Sequence, residues 1–280
     1  MKIKWKLIVT TVGLAALVGT VATSIASCGS NNPIPTPTPT PPPSPTDYIG
    51  KWDGSDWKGH ENLPGHLELG INEDGTTACI ERVNGDVEFA AYNFVIPDSV
   101  YGEDGTTVYK LTKINNDAFS TAADYACLFG TLTIGNNIEE IGDSAFYQCY
   151  ALTGDLIFPN SVISIGNSAF YQCSNFYGRL RFGDHVEHIG SEAFVDDNFT
   201  ENLIIKNSVE SVGQYAFFHT NNFAKLVFEG WNQQPNWDSE ATEIFGDWDD
   251  SGIVSSTGSW GSSDALSFAI SHGLPSGWHV

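Results

Sequence analysis

The segment Ile141-Gly142-Asp143-Ser144-Ala145-Phe146-Tyr147-Gln148-Cys149 returns 24 residues later as Ile165-Gly166-Asn167-Ser168-Ala169-Phe170-Tyr171-Gln172-Cys173. Two shorter copies follow, Ile189-Gly190-Ser191-Glu192-Ala193-Phe194 and Val212-Gly213-Gln214-Tyr215-Ala216-Phe217. An earlier, longer copy opens at Ile114 and closes on Ala118-Phe119. Self-similarity at a fixed period of roughly 20 to 50 residues marks a chain built from stacked supersecondary units. One such unit cannot cover its own apolar side, so its neighbours in the stack must do so.

Each copy follows one grammar. An aliphatic pair (Ile138 and Ile141, Val162 and Ile165, Val186 and Ile189, Val209 and Val212) brackets two outward residues, and a glycine is expected to turn the chain. Asp143, Asn167 or Ser191 is then expected to cap a single helical turn that drives Ala and Phe inward. A second short strand follows, as in Leu156-Ile157-Phe158, Leu180-Arg181-Phe182, Leu203-Ile204-Ile205 and Leu226-Val227-Phe228. The predicted fold is a repeat solenoid, mainly β with one short helical turn per repeat. Its core is a ladder of Phe119, Phe146, Phe170, Phe194 and Phe217, each ring contributing about 1.5 to 3 kcal/mol by burial.

The I-G-x-x-A-F-x-x-C spacing, recurring every 23 to 24 residues, resembles the BspA-like leucine-rich-repeat family. Phe94-Val95-Ile96-Pro97-Asp98-Ser99-Val100 and Leu156-Ile157-Phe158-Pro159-Asn160-Ser161-Val162 are similar to its strand-Pro-turn element. The resemblance runs from about Phe94 to Trp248. It implies a bacterial surface protein, often a lipoprotein of wall-less bacteria, that binds host or neighbouring-cell proteins in adhesion. It supplies no catalytic residue and no cofactor. Two departures are expected to loosen local packing: extra residues around Thr121 to Tyr125, and Asp197 where two earlier copies have cysteine.

Outward from the repeats, residues 114–230 form the solenoid and residues 231–280 its C-terminal cap. Ile244-Phe245 falls where another Ala-Phe would sit. Trp231, Trp237 and Trp248 fit either closure of the open core or an aromatic carbohydrate platform. Residues 47–113 read as an N-terminal β-cap with the first repeat strands, punctuated by the hairpin signals Glu73-Asp74-Gly75, Asn84-Gly85 and Glu103-Asp104-Gly105. Asn31 to Thr46 holds eight prolines and favours extended polyproline II.

Lys2, Lys4 and Lys6 precede an uncharged, largely apolar run from Leu7 to Ser27, the charge order of a signal peptide. Its length also fits a retained membrane anchor. Ile25-Ala26-Ser27-Cys28 resembles a lipobox, which implies residues 1–27 as a lipoprotein leader and residues 28–46 as a tether with its lipid on Cys28. That reading puts the domain on the outer face of the cell membrane. Without the leader, nine Lys+Arg face 34 Asp+Glu, a net charge of −25. Such a surface repels nucleic acid, so none is expected as a partner. Four further cysteines, Cys79, Cys127, Cys149 and Cys173, permit disulfides, whereas the repeat gives Cys149 and Cys173 a packing role as buried thiols.

Catalytic and metal motifs do not form. His60-Glu61-Asn62-Leu63-Pro64-Gly65-His66 lacks the zincin spacing and carries Pro64 within it. Asp247 to Gly252 opens like a calcium loop, but Gly258 stands at the twelfth position. His185 and His188 have no nucleophile paired with them in the pattern. Neither an enzyme nor a metal site is expected.

The scarce positive charge is more informative. Register places Thr131, Asp155, Arg179, Asn202 and Lys225 in one outward column of the second strand, and Thr133, Ile157, Arg181, Ile204 and Val227 in the next, with Lys206 alongside. Arg179, Arg181, Lys206 and Lys225, with Ile157 and Ile204 among them, are therefore the candidate binding face for an unidentified protein or glycan outside the cell. The same composition also fits long Arg and Lys stems that merely cover the isoleucines.

Overall fold

The computed structural model describes residues 67–83, 89–101, 107–120, 126–220, 222–237, 241, 243–249 and 251–280. The leader, Cys28 and the proline tether lie outside them, as do the histidine motif at residues 60–66 and the hairpin signals at residues 84–85 and 103–105. The chain coils repeatedly and lays down two ladders of short parallel strands. The first ladder runs through β2 (Thr77–Val83), β5 (Val108–Ile114), β7 (Glu140–Ile141), β9 (Ser164–Ile165), β11 (His188–Ile189) and β13 (Ser211–Val212). At its N-terminal edge β1 (Leu67–Ile71) pairs antiparallel with β2, and β4 (Ser99–Tyr101) pairs antiparallel with β5.

The second ladder lies across the core and is built in segments. There β3 (Phe89–Val95) pairs with β6 (Ala126–Thr133), β8 (Leu156–Ile157) with β10 (Leu180–Arg181), and β12 (Asn202–Lys206) with β14 (Lys225–Glu229) and then β15 (Ile253–Ser256). Register follows the sequence period. Ile141, Ile165, Ile189 and Val212 are successive partners in the first ladder. Since side chains alternate along a strand, this places every aliphatic member of the column inward.

Between the ladders the phenylalanines stack. Phe119, Phe146, Phe170, Phe194, Phe217 and Phe245 form a continuous series of near-parallel rings, with neighbouring centroids 4.9, 4.9, 5.7, 5.4 and 6.0 Å apart. Every ring in it is fully buried. Phe176, Phe199 and Phe223 form a second stack in the same core. Phe158 and Phe182 stack as well and meet the main column edge-on.

The expected helical turn does not form. Instead Ser144, Ser168, Glu192 and Tyr215 take φ of +54°, +51°, +58° and +59°, and Gln148, Gln172, Asp196 and His219 take φ of +58°, +58°, +60° and +60°. A left-handed conformation costs a non-glycine residue about 1 to 2 kcal/mol, so something must hold each one. Hydrogen bonds between coils do so: the N–H groups of Ser144, Phe146 and Gln148 donate to the carbonyls of Asn167, Ala169 and Tyr171. The N–H groups between them close tight turns within the coil, as from Ala145 to Gly142 O and from Tyr147 to Ser144 O. A helical turn would direct its hydrogen bonds within itself and leave the adjacent coil unpaired.

The predicted cap residues also have another use. Asp143 Oδ1 accepts from the N–H of Asn167 at 2.6 Å, and Asn167 Oδ1 from the N–H of Ser191 at 2.8 Å. Each side chain binds its equivalent in the next coil rather than its own turn. The repeat glycine is likewise not chosen for turning. A Cβ on Gly166 would lie 2.5 Å from the backbone of Gly142 and Asp143, and one on Gly190 2.4 Å from the backbone of Gly166. Glycine stands here because neighbouring coils approach too closely for a side chain.

At the C-terminal end β15 extends the second ladder, and α1 (Ser262–Ser271) lies against it. Ala265, Phe268 and Ala269 form the buried stripe of α1. The helix ends in a Schellman turn: Gly273 has φ +96° and donates to Ile270 O, while Leu274 donates to Ala269 O. Trp231, Trp237, Trp248, Trp260 and Trp278 are all buried at this end, with Trp237 and Trp260 packed against Phe268 of the helix. Burial settles the two readings of the tryptophans in favour of core closure. The indole N–H groups of Trp231, Trp237, Trp248 and Trp278 donate to the backbone carbonyls of Ile205, Val209, Phe217 and Asp249. Among the described residues, no helix is long and apolar enough to cross a membrane.

Candidate binding face

The second ladder brings the predicted residues together on one exterior face. Leu156 and Leu180 point into the core while their neighbours Ile157 and Arg181 point out, paired in register. Ile204 and Val227 continue that column, and Asn202, Lys225 and Ile253 form the one beside it. Ile157 is 50% exposed and Ile253 43% exposed, whereas Val227 is 8% exposed. Ile253 was not foreseen: β15 lies beyond the last recognisable copy, so no register could be projected onto it. Tyr177, 64% exposed, stands two residues before Arg179.

Three of the four cations of this face, Arg179, Arg181 and Lys206, are engaged from within the fold. Arg179 binds Asp155 through Nε at 2.9 Å and Nη2 at 2.5 Å, and the backbone N–H of Arg179 reaches the same carboxylate at 2.8 Å. Burial alone would raise the Asp155 carboxyl, but the Arg179 contacts outweigh it and hold it below its ordinary value. Lys206 Nζ lies 2.5 Å from Asp184 Oδ1 and lowers that carboxyl too. Arg181 lies 3.7 Å from Glu201. Around its exposed isoleucines the face therefore carries three ion pairs rather than a continuous basic strip. Asp155 was legible as a column neighbour, but Asp184 and Glu201 come from turns whose reach a repeat pattern does not specify.

The first ladder presents the opposite exterior. Glu139, Glu187 and Glu210 succeed one another there, with Ile163 between the first two and 39% exposed. Ligand atoms of Glu187, His188 and Glu210 lie within 4.8 Å of one another, and His188 Nδ1 is 2.9 Å from Ser211 Oγ. Toward the N-terminal end the same face opens into a cavity of about 850 Å³ lined by polar and acidic groups including Asn72, Glu81, Lys113, Glu139 and Glu140. Lys113 pairs with Glu140 at 2.7 Å.

Along the edge of the coils the left-handed residues carry a side-chain ladder. Gln148 Nε2 donates to Gln172 Oε1 at 2.9 Å, Gln172 Nε2 to Asp196 Oδ2 at 2.9 Å, and His219 Nδ1 lies 2.8 Å from Asp196 Oδ1. His219 Nε2 meets Asp247. Beside this ladder Tyr147 and Tyr171 stack at 5.0 Å. The Tyr-Gln pair that follows Ala-Phe in two successive copies, Tyr147-Gln148 and Tyr171-Gln172, was the available signal. The cysteines Cys79, Cys149 and Cys173 are buried free thiols; the side chain of Cys127 and all of Cys28 lie outside the described residues.

Residues 112–234 match the model of the BspA type leucine rich repeat region family, in six copies. Three solved structures are similar. A leucine-rich repeat protein of T. pallidum is 21% identical over 57% of this chain and 68% of its own, with a TM-score of 0.47. A leucine-rich repeat protein of Bacteroides ovatus is 16% identical over 70% of this chain and 72% of its own, with a TM-score of 0.34. A leucine rich cell surface protein of Faecalibacterium prausnitzii is 16% identical over 60% of this chain and 70% of its own, with a TM-score of 0.27. No curated protein matches the chain.

Proposed function

Given that residues 112–234 of this chain are BspA-type leucine-rich repeats, we propose that the protein is a binding module displayed on the outer face of a bacterial membrane. Its leucine-rich-repeat domain is consistent with protein interaction at a cell surface, and solenoids of this class are typically binding scaffolds rather than enzymes. Cys28 carries the lipid, the proline segment stands the domain off the bilayer, and the second-ladder face engages a protein or glycan on a host or neighbouring cell. Two acyl chains on Cys28 give stable anchoring where one would be marginal.

The observation that carries this reading is Ile157, left half exposed on a face where Arg179 and Arg181 are already paired with Asp155 and Glu201. An apolar centre inside a satisfied polar rim is the composition of a recognition surface. It has little reason to persist on a coil that needs it for nothing else. The paired cations also favour a second reading, a passive coat whose surface is complete without a ligand.

The protein lacking its leader, labelled and titrated onto cells and onto protein and glycan arrays, separates the two. Saturable binding that falls at least tenfold in Ile157→Asp, with an unchanged melting temperature, supports the module; no saturable binding at any concentration supports the coat. Anchoring is tested apart from binding. Cys28→Ala should abolish incorporation of labelled palmitate into the full chain and leave its apolar leader uncleaved.

A further inference from the structure

One column of the core trails each stacked phenylalanine by three positions: Cys149, Cys173, Asp197, Thr220 and Trp248. Its members share a task. Cys149 Sγ donates to the Phe119 carbonyl at 3.2 Å, Cys173 Sγ to the Phe146 carbonyl at 3.1 Å, Thr220 Oγ1 to the Phe194 carbonyl at 2.8 Å and Trp248 Nε1 to the Phe217 carbonyl at 2.6 Å. Thiol, hydroxyl and indole have only one thing in common here, a proton to give to the backbone oxygen one coil back.

Asp197 occupies the same place relative to the Phe170 carbonyl. Its residue is 0% exposed, and neither Oδ1 nor Oδ2 has a hydrogen-bond partner. An ionised carboxylate only accepts; a carboxylic acid donates one proton. A buried charge with no counter-charge and no donor is far costlier than a buried neutral acid. Asp197 is buried as completely as Cys173, and the ring spacing at its coil, Phe170 to Phe194, is 5.7 Å against 4.9 Å in the two preceding steps.

We propose that Asp197 folds into the solenoid as a neutral carboxylic acid whose O–H donates to the Phe170 carbonyl, making this coil a built-in acid sensor that tightens the domain in acid and weakens it as pH rises. On ionisation the O–H bond breaks, the proton passes to water, and a carboxylate is left facing a carbonyl oxygen. Burial pushes the Asp197 carboxyl well above the ordinary range; the nearby Cys173 N–H opposes this and Asp196 adds to it. The Cys173 N–H is already committed to the Phe170 carbonyl at 3.1 Å.

The groups around Asp197 do not supply a cation. The Cys173 thiol, one coil back, is itself held protonated by burial. Thr220, one coil on, is uncharged. Asp196, the neighbour in sequence, turns its carboxylate outward to Gln172 and His219. The sign follows from linkage. A folded-state value raised above the unfolded one leaves stability complete below the unfolded value and removes it as pH climbs toward the folded value.

Asp197→Thr, which copies the donor at Thr220, tests this directly. The folding equilibrium constants of the variant and the unmodified protein are measured by urea denaturation from about pH 4 to about pH 8. Their ratio should grow by about tenfold per pH unit over the window between the two titration values. A ratio that stays constant with pH overturns the proposal. Should Asp197→Thr fail to fold, infrared difference spectra of the unmodified protein against Asp197→Asn decide it. A protonated carboxyl C=O band at neutral pH supports the proposal, and a carboxylate band in its place overturns it.

Discussion

The rings of Phe146 and Phe170 lie 4.9 Å apart and within 11° of parallel, although 24 positions separate them in the chain. Each ring is at once the floor of one coil and the ceiling of the next, so neither is shielded from water by its own repeat. Stability in this domain is consequently shared between neighbours, as nearest-neighbour terms in a stack.

Phe170→Ala, in the middle of the column, should cost about 3 to 5 kcal/mol through lost transfer energy and the cavity left behind. Tyr171→Ala should cost well under half of that, because its ring stacks on Tyr147 at the half-exposed edge rather than in the core. Urea denaturation of the two variants checks the phase of the repeat, and equal losses would contradict it.

Gly166→Ala and Ser144→Gly should behave oppositely to what turn preferences suggest. An alanine Cβ at Gly166 meets backbone atoms at 2.5 Å, and overpacking of this kind costs about 1 to 3 kcal/mol or more. Ser144 already sits at φ +54°, where glycine relieves local strain. Thermal melts should therefore record a clear loss for the first and little change or a gain for the second.

Asp155 and Arg179 give the surface an acid-sensitive contact. The carboxyl is held low in the folded state, so its contribution is complete above the ordinary carboxylate value and lost as pH falls through the depressed one. Removing the cation with Arg179→Met should therefore lower the melting temperature slightly at neutral pH, as expected for a partly exposed pair, and the two proteins should converge in acid once the carboxyl is protonated. Asp197 works in the opposite direction and at higher pH, so the two are separable in one pH series.

Phe268→Ala, on α1, should cost about 3 to 5 kcal/mol although it lies outside every repeat. Its ring packs against Phe228, Trp237 and Trp260, and without it the open end of the core is exposed. Tryptophan fluorescence and light scattering during denaturation should then record early loosening and association of the C-terminal end.

The period made much of this legible. The inward aliphatic pairs, the phenylalanine column and the outward columns at Ile157, Arg181 and Ile204 all follow from a constant offset of residues, because stacking in register converts sequence spacing directly into spatial adjacency. Helix α1 was hidden by the Gly and Ser residues around it, though Ala265, Phe268 and Ala269 carry a helical spacing that could have revealed it. The turn after each glycine was misread because preferences for capping and turning describe a chain in isolation.

What the sequence alone determined, then, is which residues repeat, how far apart, and which side of each short strand is apolar; those are properties of order along one chain. Only the tertiary structure decided that Gly166 exists to admit the backbone of another coil, that Asp143 binds Asn167 instead of its own turn, and that Asp155, Asp184 and Glu201 pair with Arg179, Lys206 and Arg181. Each of these depends on the distance between coils, a few ångströms fixed by side-chain volume and hydrogen-bond length. No spacing of letters encodes that distance.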